Sequence, residues 1–184
     1  MRKRRERLER TAKKTGLSVK EICVFSVLGA LMYASKIVMD ALPNIHLIAM
    51  FIALYTVVFR AKALYPIYVF VFLTGLMNGF GTWWFAYLYI WAILWAVIML
   101  IPRNAPKWVY FSIIPVVCAL HGFAYGTMCA PVEALVRSYT FKEMLAWISM
   151  GIYFDMIHGI SNFAMAFLVF PLSKELKKAL ALLK

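Results

Sequence analysis

The residues best suited to chemistry recur at helical spacing near the C-terminal end of the chain. Trp147, Gly151, Asp155, His158 and Asn162 are separated by four, four, three and four positions. Residues three or four apart lie on one face of a helix, so this pattern predicts a single polar and aromatic stripe. Such a stripe can bind a ligand, or Asp155 and His158 can pair with each other or with Lys36 as a structural network.

Two further stripes of this kind precede it in the chain. Their members are Trp84, Tyr87, Trp91 and Trp95, followed by Cys118, His121 and Tyr125. Aromatic walls with a few polar groups suit a flat heterocyclic ligand, so three stripes on consecutive helices predict a cavity. An interfacial aromatic belt is the alternative for Trp83, Trp84 and Trp147, and simple packing is the alternative for Trp91 and Trp95.

The elements that must position these stripes are membrane helices. Hydrophobic residues make up 64% of the 184 residues, well above the ~45–50% of soluble domains. We predict an all-α membrane protein, a six-transmembrane-helix bundle with segments at about 21–41, 46–59, 63–78, 83–101, 108–129 and 144–172. A basic tail at 1–20 precedes the transmembrane domain at 21–172, a second tail at 173–184 follows it, and 131–143 is expected to be a polar connection.

Basic residues are concentrated at alternate ends of these segments. If the N-terminus is cytoplasmic, all but three of the 20 Lys and Arg residues lie on the cytoplasmic side, and the exceptions are Lys36, Arg137 and Lys142. Cytoplasmic flanks retain positive charge, so both termini are predicted to be cytoplasmic in a multi-pass protein of the bacterial plasma membrane. This topology and contact with anionic lipid of the bilayer account for the net charge of +12, and no nucleic-acid partner is expected.

Other kinds of function have weaker support. His121, Asp155 and His158 are of the types that bind metals, but no Glu-x-x-His or His-Glu-x-x-His motif is present, and Cys23, Cys118 and Cys129 lack metal-ligand spacing. We therefore expect no metal, no cofactor and no enzymatic activity. Three alternatives remain: a self-contained carrier that relays protons through Asp155 and His158, an intramembrane metal enzyme that uses His121, Asp155 and His158, and a scaffold for other membrane proteins.

The first segment carries small residues on one face. Ser26, Ala30 and Ala34 are four positions apart and form a flat stripe that lets another helix approach closely. Lys36 lies about 200° around the helix from Ala34, and Asp40 follows one turn later. Because charge facing lipid is costly, we expect Lys36 and Asp40 to face the bundle or its mouth and the alanines to face outward. Packing of the stripe inside the bundle is the alternative.

Three motifs carry a resemblance to a known family. They are Ala30-Leu-Met-Tyr-Ala34 in helix one, Pro43-Asn44-Ile45-His46 after it, and Asp155-Met-Ile-His158-Gly159-Ile-Ser-Asn162 in helix six. With six helices and about 180 residues, the chain resembles the S-components of energy-coupling factor (ECF) transporters, in particular their vitamin-type members. The resemblance covers nearly the whole chain beyond the basic tail.

The resemblance implies a function, a site and partners. An S-component binds a vitamin or related micronutrient outside the cell, docks through its alanine stripe on a transmembrane coupling subunit driven by two cytoplasmic ATPases, and hydrolyses nothing itself. Accordingly, the chain has no P-loop pattern. The family's ligand lies between helices four to six under the loop after helix one. The expected substrate-binding residues are Lys36, Asn44, His46, Trp84, Tyr87, His121, Tyr125, Trp147, Gly151, Asp155 and His158.

Overall fold

A computed structural model describes residues 16–182, and this part of the chain is all-α, without a strand. Most of the predicted N-terminal tail lies outside the described residues. Eight α-helices and one 3₁₀ turn follow one another: α1 (Val19–Val38), α2 (Ile48–Phe59), the 3₁₀ turn (Arg60–Ala63), α3 (Leu64–Asn78), α4 (Thr82–Met99), α5 (Lys107–Phe123), α6 (Tyr125–Arg137), α7 (Phe141–Ala166) and α8 (Val169–Leu182).

The long apolar helices are those of a membrane-embedded protein. By length and composition, four stretches within residues 16–182 can cross a membrane: Val19–Val38, Ile48–Asn78, Thr82–Met99 and Lys107–Arg137. A fifth is obtained if α7 and α8, which meet at 52°, are taken as one bent span. The predicted segment boundary at 129 is thus replaced by a helical stretch that continues to Arg137.

The stretch Ile48–Asn78 reverses direction at the 3₁₀ turn. The ring of Phe25 on α1 contacts both Phe59, at the end of α2, and Tyr65, at the start of α3. Further along α1, Tyr33 donates a hydrogen bond to Asn78 at the far end of α3. The chain therefore runs along α1 in opposite directions in α2 and α3. Arg60, with φ of +57°, stands at this reversal.

Helix α2 is the centre of the bundle. Every residue from Ile48 to Thr56 is buried. The Tyr55 hydroxyl donates a hydrogen bond to the Leu28 carbonyl of α1. On another side of α2, the Cys118 thiol of α5 lies 3.9 Å from the Ala49 carbonyl oxygen. A helix of 12 residues is short against the ~20 that span a bilayer, but α2 is enclosed by its neighbours and need not meet lipid along its length.

The C-terminal half differs from the predicted boundaries. The expected polar connection at 131–143 is instead helical as far as Arg137. Within α6, Glu133 accepts a hydrogen bond from Arg137, and its second hydrogen bond, from Thr82, ties α6 to α4. Helix α7 begins three residues earlier than expected. The reason is a capping box, in which Thr140 and Glu143 satisfy each other's backbone amides. The predicted sixth segment breaks after Ala166, and α8 extends through the predicted tail as far as Leu182.

Helices α5 and α7 are antiparallel and cross at two glycines. A Cβ atom added to Gly122 would lie 2.7 Å from the Cα of Gly159. One turn away, the Asn162 amide donates a 3.4 Å hydrogen bond to the Cys118 carbonyl. The close crossing brings the polar stripes of the two helices together.

Basic side chains meet at one end of the bundle, which we call the basic end. The Arg60 guanidinium donates hydrogen bonds of 2.6 and 3.0 Å to the carbonyls of Met99 and Ile101 at the end of α4. Lys62 pairs with Glu21 at the start of α1. These contacts gather the ends of α1, α2 and α4 at the same end of the bundle.

Candidate ligand-binding site

A cavity of about 320 Å³ lies at the opposite end of the bundle, between α4, α6 and α7. Five of the predicted site residues line it: Asn44, Tyr125, Trp147, Gly151 and Asp155. Trp83, Glu133 and Phe154 complete its aromatic and acidic walls. We call this space the acidic cavity, because the two Asp or Glu residues that line it, Asp155 and Glu133, are joined there by no Lys, Arg or His of residues 16–182.

A second cavity of about 230 Å³ adjoins the first and contains a lysine. Lys36 of α1 and Tyr87 of α4 line it, together with Thr74 and Asn78 of α3. Trp83 and Tyr125 line both cavities and form the partition between them. The Lys36 ammonium is 3.7 Å from the carboxylate of Asp40, whose side chain is 76% exposed. We call this space the lysine cavity.

An aromatic ladder on α4 forms the common wall. The ring of Tyr87 lies 5.1 Å from that of Trp83 and 5.2 Å from that of Trp91, both edge-on. The three residues are four positions apart, so the α4 stripe that faces the cavities begins at Trp83 rather than at Trp84. Trp91 is fully buried beneath the cavities, and its indole N–H has no hydrogen-bond partner among the described residues.

Trp84 lies apart from this group. Its indole N–H donates a 2.9 Å hydrogen bond to the Val71 carbonyl of α3. Its ring occupies the space left by Gly75, where an added Cβ would lie 2.5 Å from the indole nitrogen. The prediction that Trp84 lines the site is therefore wrong, because Trp84 packs on α3. Its neighbour Trp83 lines the site, and the even spacing of Trp83, Tyr87 and Trp91 is the sequence pattern that indicates this.

Asp155 is a buried carboxylate with one backbone donor. Both of its oxygens accept from the Gly126 amide, at 3.0 and 3.1 Å. The residue is 8% exposed, and no basic side chain of residues 16–182 lies within ion-pair distance of it. The alternative pairings with His158 and with Lys36 are therefore not formed. A buried charge without a partner is costly, so this carboxylate favours a cationic or hydrogen-donating ligand group.

Three histidines form a cluster beneath the cavities. The His158 ring lies 4.6 Å from that of His46 and 4.7 Å from that of Tyr125. His121 approaches the Ile90 carbonyl at 2.9 Å through Nε2. Both ring nitrogens of His158 and the Nδ1 of His121 are buried without a partner in the described part of the chain. The three histidines line neither cavity. They contact Tyr125, which lines both cavities, and Trp91, which lies beneath them.

The loop between α1 and α2 enters the bundle rather than lying over it. The Asn44 carbonyl accepts a 3.1 Å hydrogen bond from Ser161 of α7, and Asn44 itself has a left-handed φ of +59°. The Nδ1 of His46 accepts from the Ile48 amide at the start of α2. Burial and, secondarily, the positive charge of Lys36 lower the pKa of His46 from 6.5 to about 4. His46 is therefore neutral at physiological pH.

The small-residue stripe of α1 lies on the outside of the bundle. Ser26, Ala30 and Ala34 are all exposed. The opposite face of α1, with Phe25 and Gly29, is buried against α3, where an added Cβ on Gly29 would lie 2.5 Å from Val69.

Residues 16–182 contain no group of three or more His, Cys, Asp or Glu side chains placed to hold a metal ion. Comparison with protein-family models, with curated proteins and with solved structures found no match to this chain.

Proposed function

We propose that this chain is the substrate-binding membrane subunit, or S-component, of an ECF-type importer. It captures a vitamin-like small molecule outside the cell and docks on a transmembrane coupling subunit that two cytoplasmic ATPases drive. One observation carries the proposal. Lys36 and Ala34, two positions apart on α1, lie on opposite sides of that helix: Lys36 lines a cavity, whereas Ala34 is exposed on a flat small-residue stripe.

The direction of the helices supports six membrane crossings. Helices α2 and α3 run in opposite directions along α1, so the single stretch Ile48–Asn78 supplies two crossings. Helices α5 and α6 together supply the fifth and α7 the sixth. The basic end then faces the cytoplasm, as the distribution of Lys and Arg in multi-pass proteins requires, and the two cavities face outward.

The lining of the cavities supports an aromatic ligand with two different polar ends. Asp155 and Glu133 favour a cationic or hydrogen-donating ring in the acidic cavity. Lys36 favours a carboxylate or phosphate in the lysine cavity. Trp83 and Tyr125 stand between them and offer flat surfaces for a ring. A ligand that reaches from one cavity to the other satisfies both charges.

Two measurements test the proposed function. Mass spectrometry of the chain purified from its own membranes is expected to detect two nucleotide-binding ATPases, a larger membrane subunit and one stoichiometric small molecule released on denaturation. In proteoliposomes, the chain alone is expected to bind that molecule without accumulating it. Accumulation is expected only when the purified partners and ATP are added. Sustained uptake by the chain alone would contradict the proposal.

The histidine cluster favours one second candidate, a proton-linked carrier. His158 and His46 are in ring contact, and His158 has both nitrogens unpaired among the described residues, which is the chemistry of a proton relay. This candidate predicts uptake by the chain alone when a proton gradient is imposed, and loss of that uptake in His158→Gln. The same proteoliposomes therefore distinguish the two functions.

A further inference from the structure

A third cavity lies at the basic end, far from the candidate ligand site. It has a volume of about 520 Å³ and is bounded by α2, α5 and the junction of α7 with α8. Four basic residues line it: Arg103, Lys107, Lys174 and Lys177. We call it the basic groove.

The charge of the basic groove is uncompensated. Among residues 16–182, no acidic side chain lines the groove, and none forms an ion pair with any of its four cations. Lys174 lies over the ring of Phe170, 4.7 Å from its centroid, and this contact favours a position of the ammonium beside the groove. The groove therefore attracts anions.

The floor of the groove is apolar and opens sideways. Ile114, Ala166 and Val169 are buried along it, at 2%, 2% and 4% exposure. Phe111 of α5 and Phe167, at the junction of α7 with α8, also line the groove and are 50% and 36% exposed. The groove is thus continuous with the apolar sides of the bundle. A soluble anion has no apolar part that would contact this opening, whereas the acyl chain of a lipid can enter through it.

We propose that the basic groove binds an anionic phospholipid, with its phosphate among the four basic side chains and an acyl chain along Phe111, Ile114 and Phe167. The four positive charges of the groove disfavour a zwitterionic lipid, because its quaternary ammonium would face the same cations. Basic pockets between helices at the cytoplasmic face of a membrane bind anionic headgroups in this way. The site requires only that the chain is embedded in a membrane, so it is independent of the proposed transport function.

The test uses two neighbouring lysines of α8. Lys177 lines the groove, whereas Lys178 lies outside it and pairs with Glu175 at 2.7 Å. Lys177→Gln and Lys178→Gln remove the same charge from adjacent exposed positions. Native mass spectrometry in detergent, titrated with phosphatidylglycerol or with phosphatidylcholine of the same acyl chains, measures retained lipid for both variants and for the unmodified chain.

We expect the unmodified chain and Lys178→Gln to retain one phosphatidylglycerol in preference to phosphatidylcholine. Lys177→Gln should weaken that binding about fivefold, which corresponds to about 1 kcal/mol for one basic residue near an anionic headgroup. Arg103→Gln should have a similar effect from the other side of the groove. Equal weakening by Lys177→Gln and Lys178→Gln, equal retention of both lipids, or displacement of the lipid by millimolar inorganic phosphate would each overturn the proposal.

Discussion

Asp155 and Gly126 are so close that position 126 cannot hold a side chain. A Cβ atom added to Gly126 would lie 2.5 Å from the nearer Asp155 oxygen, and the Gly126 amide is the hydrogen-bond donor to both oxygens. Helix α6 therefore presents bare backbone to the buried carboxylate of α7. The carboxylate is oriented toward the acidic cavity without a cation from the described part of the chain, and its charge is left for a ligand.

The first prediction concerns this charge. Asp155→Asn keeps the size of the side chain but removes its charge, and we expect it to weaken binding of the copurified ligand at least tenfold. Hydrogen bonds to charged groups contribute about 1.5–3 kcal/mol, which accounts for that factor. Isothermal titration in detergent is the measurement. Glu175→Gln, the same chemical change at the basic end, is the control and should leave the affinity unchanged.

The second prediction concerns the other pole of the ligand. Lys36→Gln should weaken binding of the same ligand and raise the relative affinity of an analogue that lacks the acidic group. If Lys36→Gln and Asp155→Asn change the affinities for ligand and analogue in parallel, the ligand does not span the two cavities.

The third prediction separates docking from binding. Ala30→Trp and Ala34→Trp place a bulky ring on the exposed stripe of α1, so we expect loss of the copurified ATPases with ligand affinity retained. Leu120→Trp adds the same ring at a 60% exposed position on α5, away from the stripe, and should leave the complex intact. A collapse of ligand affinity in Ala30→Trp would instead assign the stripe to the core of the subunit.

The fourth prediction concerns the crossing of α5 and α7. A Cβ on Gly159 would lie 2.1 Å from the Phe123 ring, so Gly159→Ala should destabilise the protein by about 1–3 kcal/mol, the usual cost of overpacking. Gly151→Ala makes the same change on the same helix where nothing lies within 4 Å, and should not lower the melting temperature. Thermal unfolding in one detergent compares the two variants.

The fifth prediction concerns pH. The pKa of His46 is lowered from 6.5 to about 4, so between these values the unfolded chain binds more protons than the folded chain. Stability from this residue is fully present above pH 6.5 and is lost as the pH falls toward 4, by on the order of 3 kcal/mol. The positive charge of Lys36 acts in the same direction as burial, and the ring of His158 packs against that of His46.

His46→Gln tests this assignment. Melting temperatures measured between pH 7 and pH 4 should fall less steeply in the variant than in the unmodified chain. Parallel slopes would mean that other groups cause the acid sensitivity. The variant also loses the hydrogen bond from the Ile48 amide, which lowers its stability at every pH. The melting temperatures of the variant and the unmodified chain should therefore also be compared at pH 7 alone.

Sequence spacing predicts which face of a helix carries a polar stripe, but it resolves that face only to within one residue. Trp83 and Trp84 differ by about 100° on α4, and either gives an acceptable stripe with Tyr87. Gly75 decides between them, because it leaves a space on α3 that Trp84 fills. No local pattern around Trp84 carries that information.

The sequence by itself determined that the chain is an all-α protein with long apolar, membrane-type helices, and it predicted the ends of the first four helices to within about three residues. Apolar runs, basic flanks and helical spacing are local properties, and they predict an all-α membrane bundle with polar stripes on its last helices. The tertiary structure decided which segments are enclosed and where the helices continue. The His46 loop enters the bundle, α2 is enclosed by its neighbours, and Pro131 lies within a helix. These outcomes depend on contacts such as Asn44 with Ser161 and Glu133 with Thr82, which join residues 117 and 51 positions apart. Pairings over such distances leave no periodic signal in the chain, because neither partner's local sequence specifies the other.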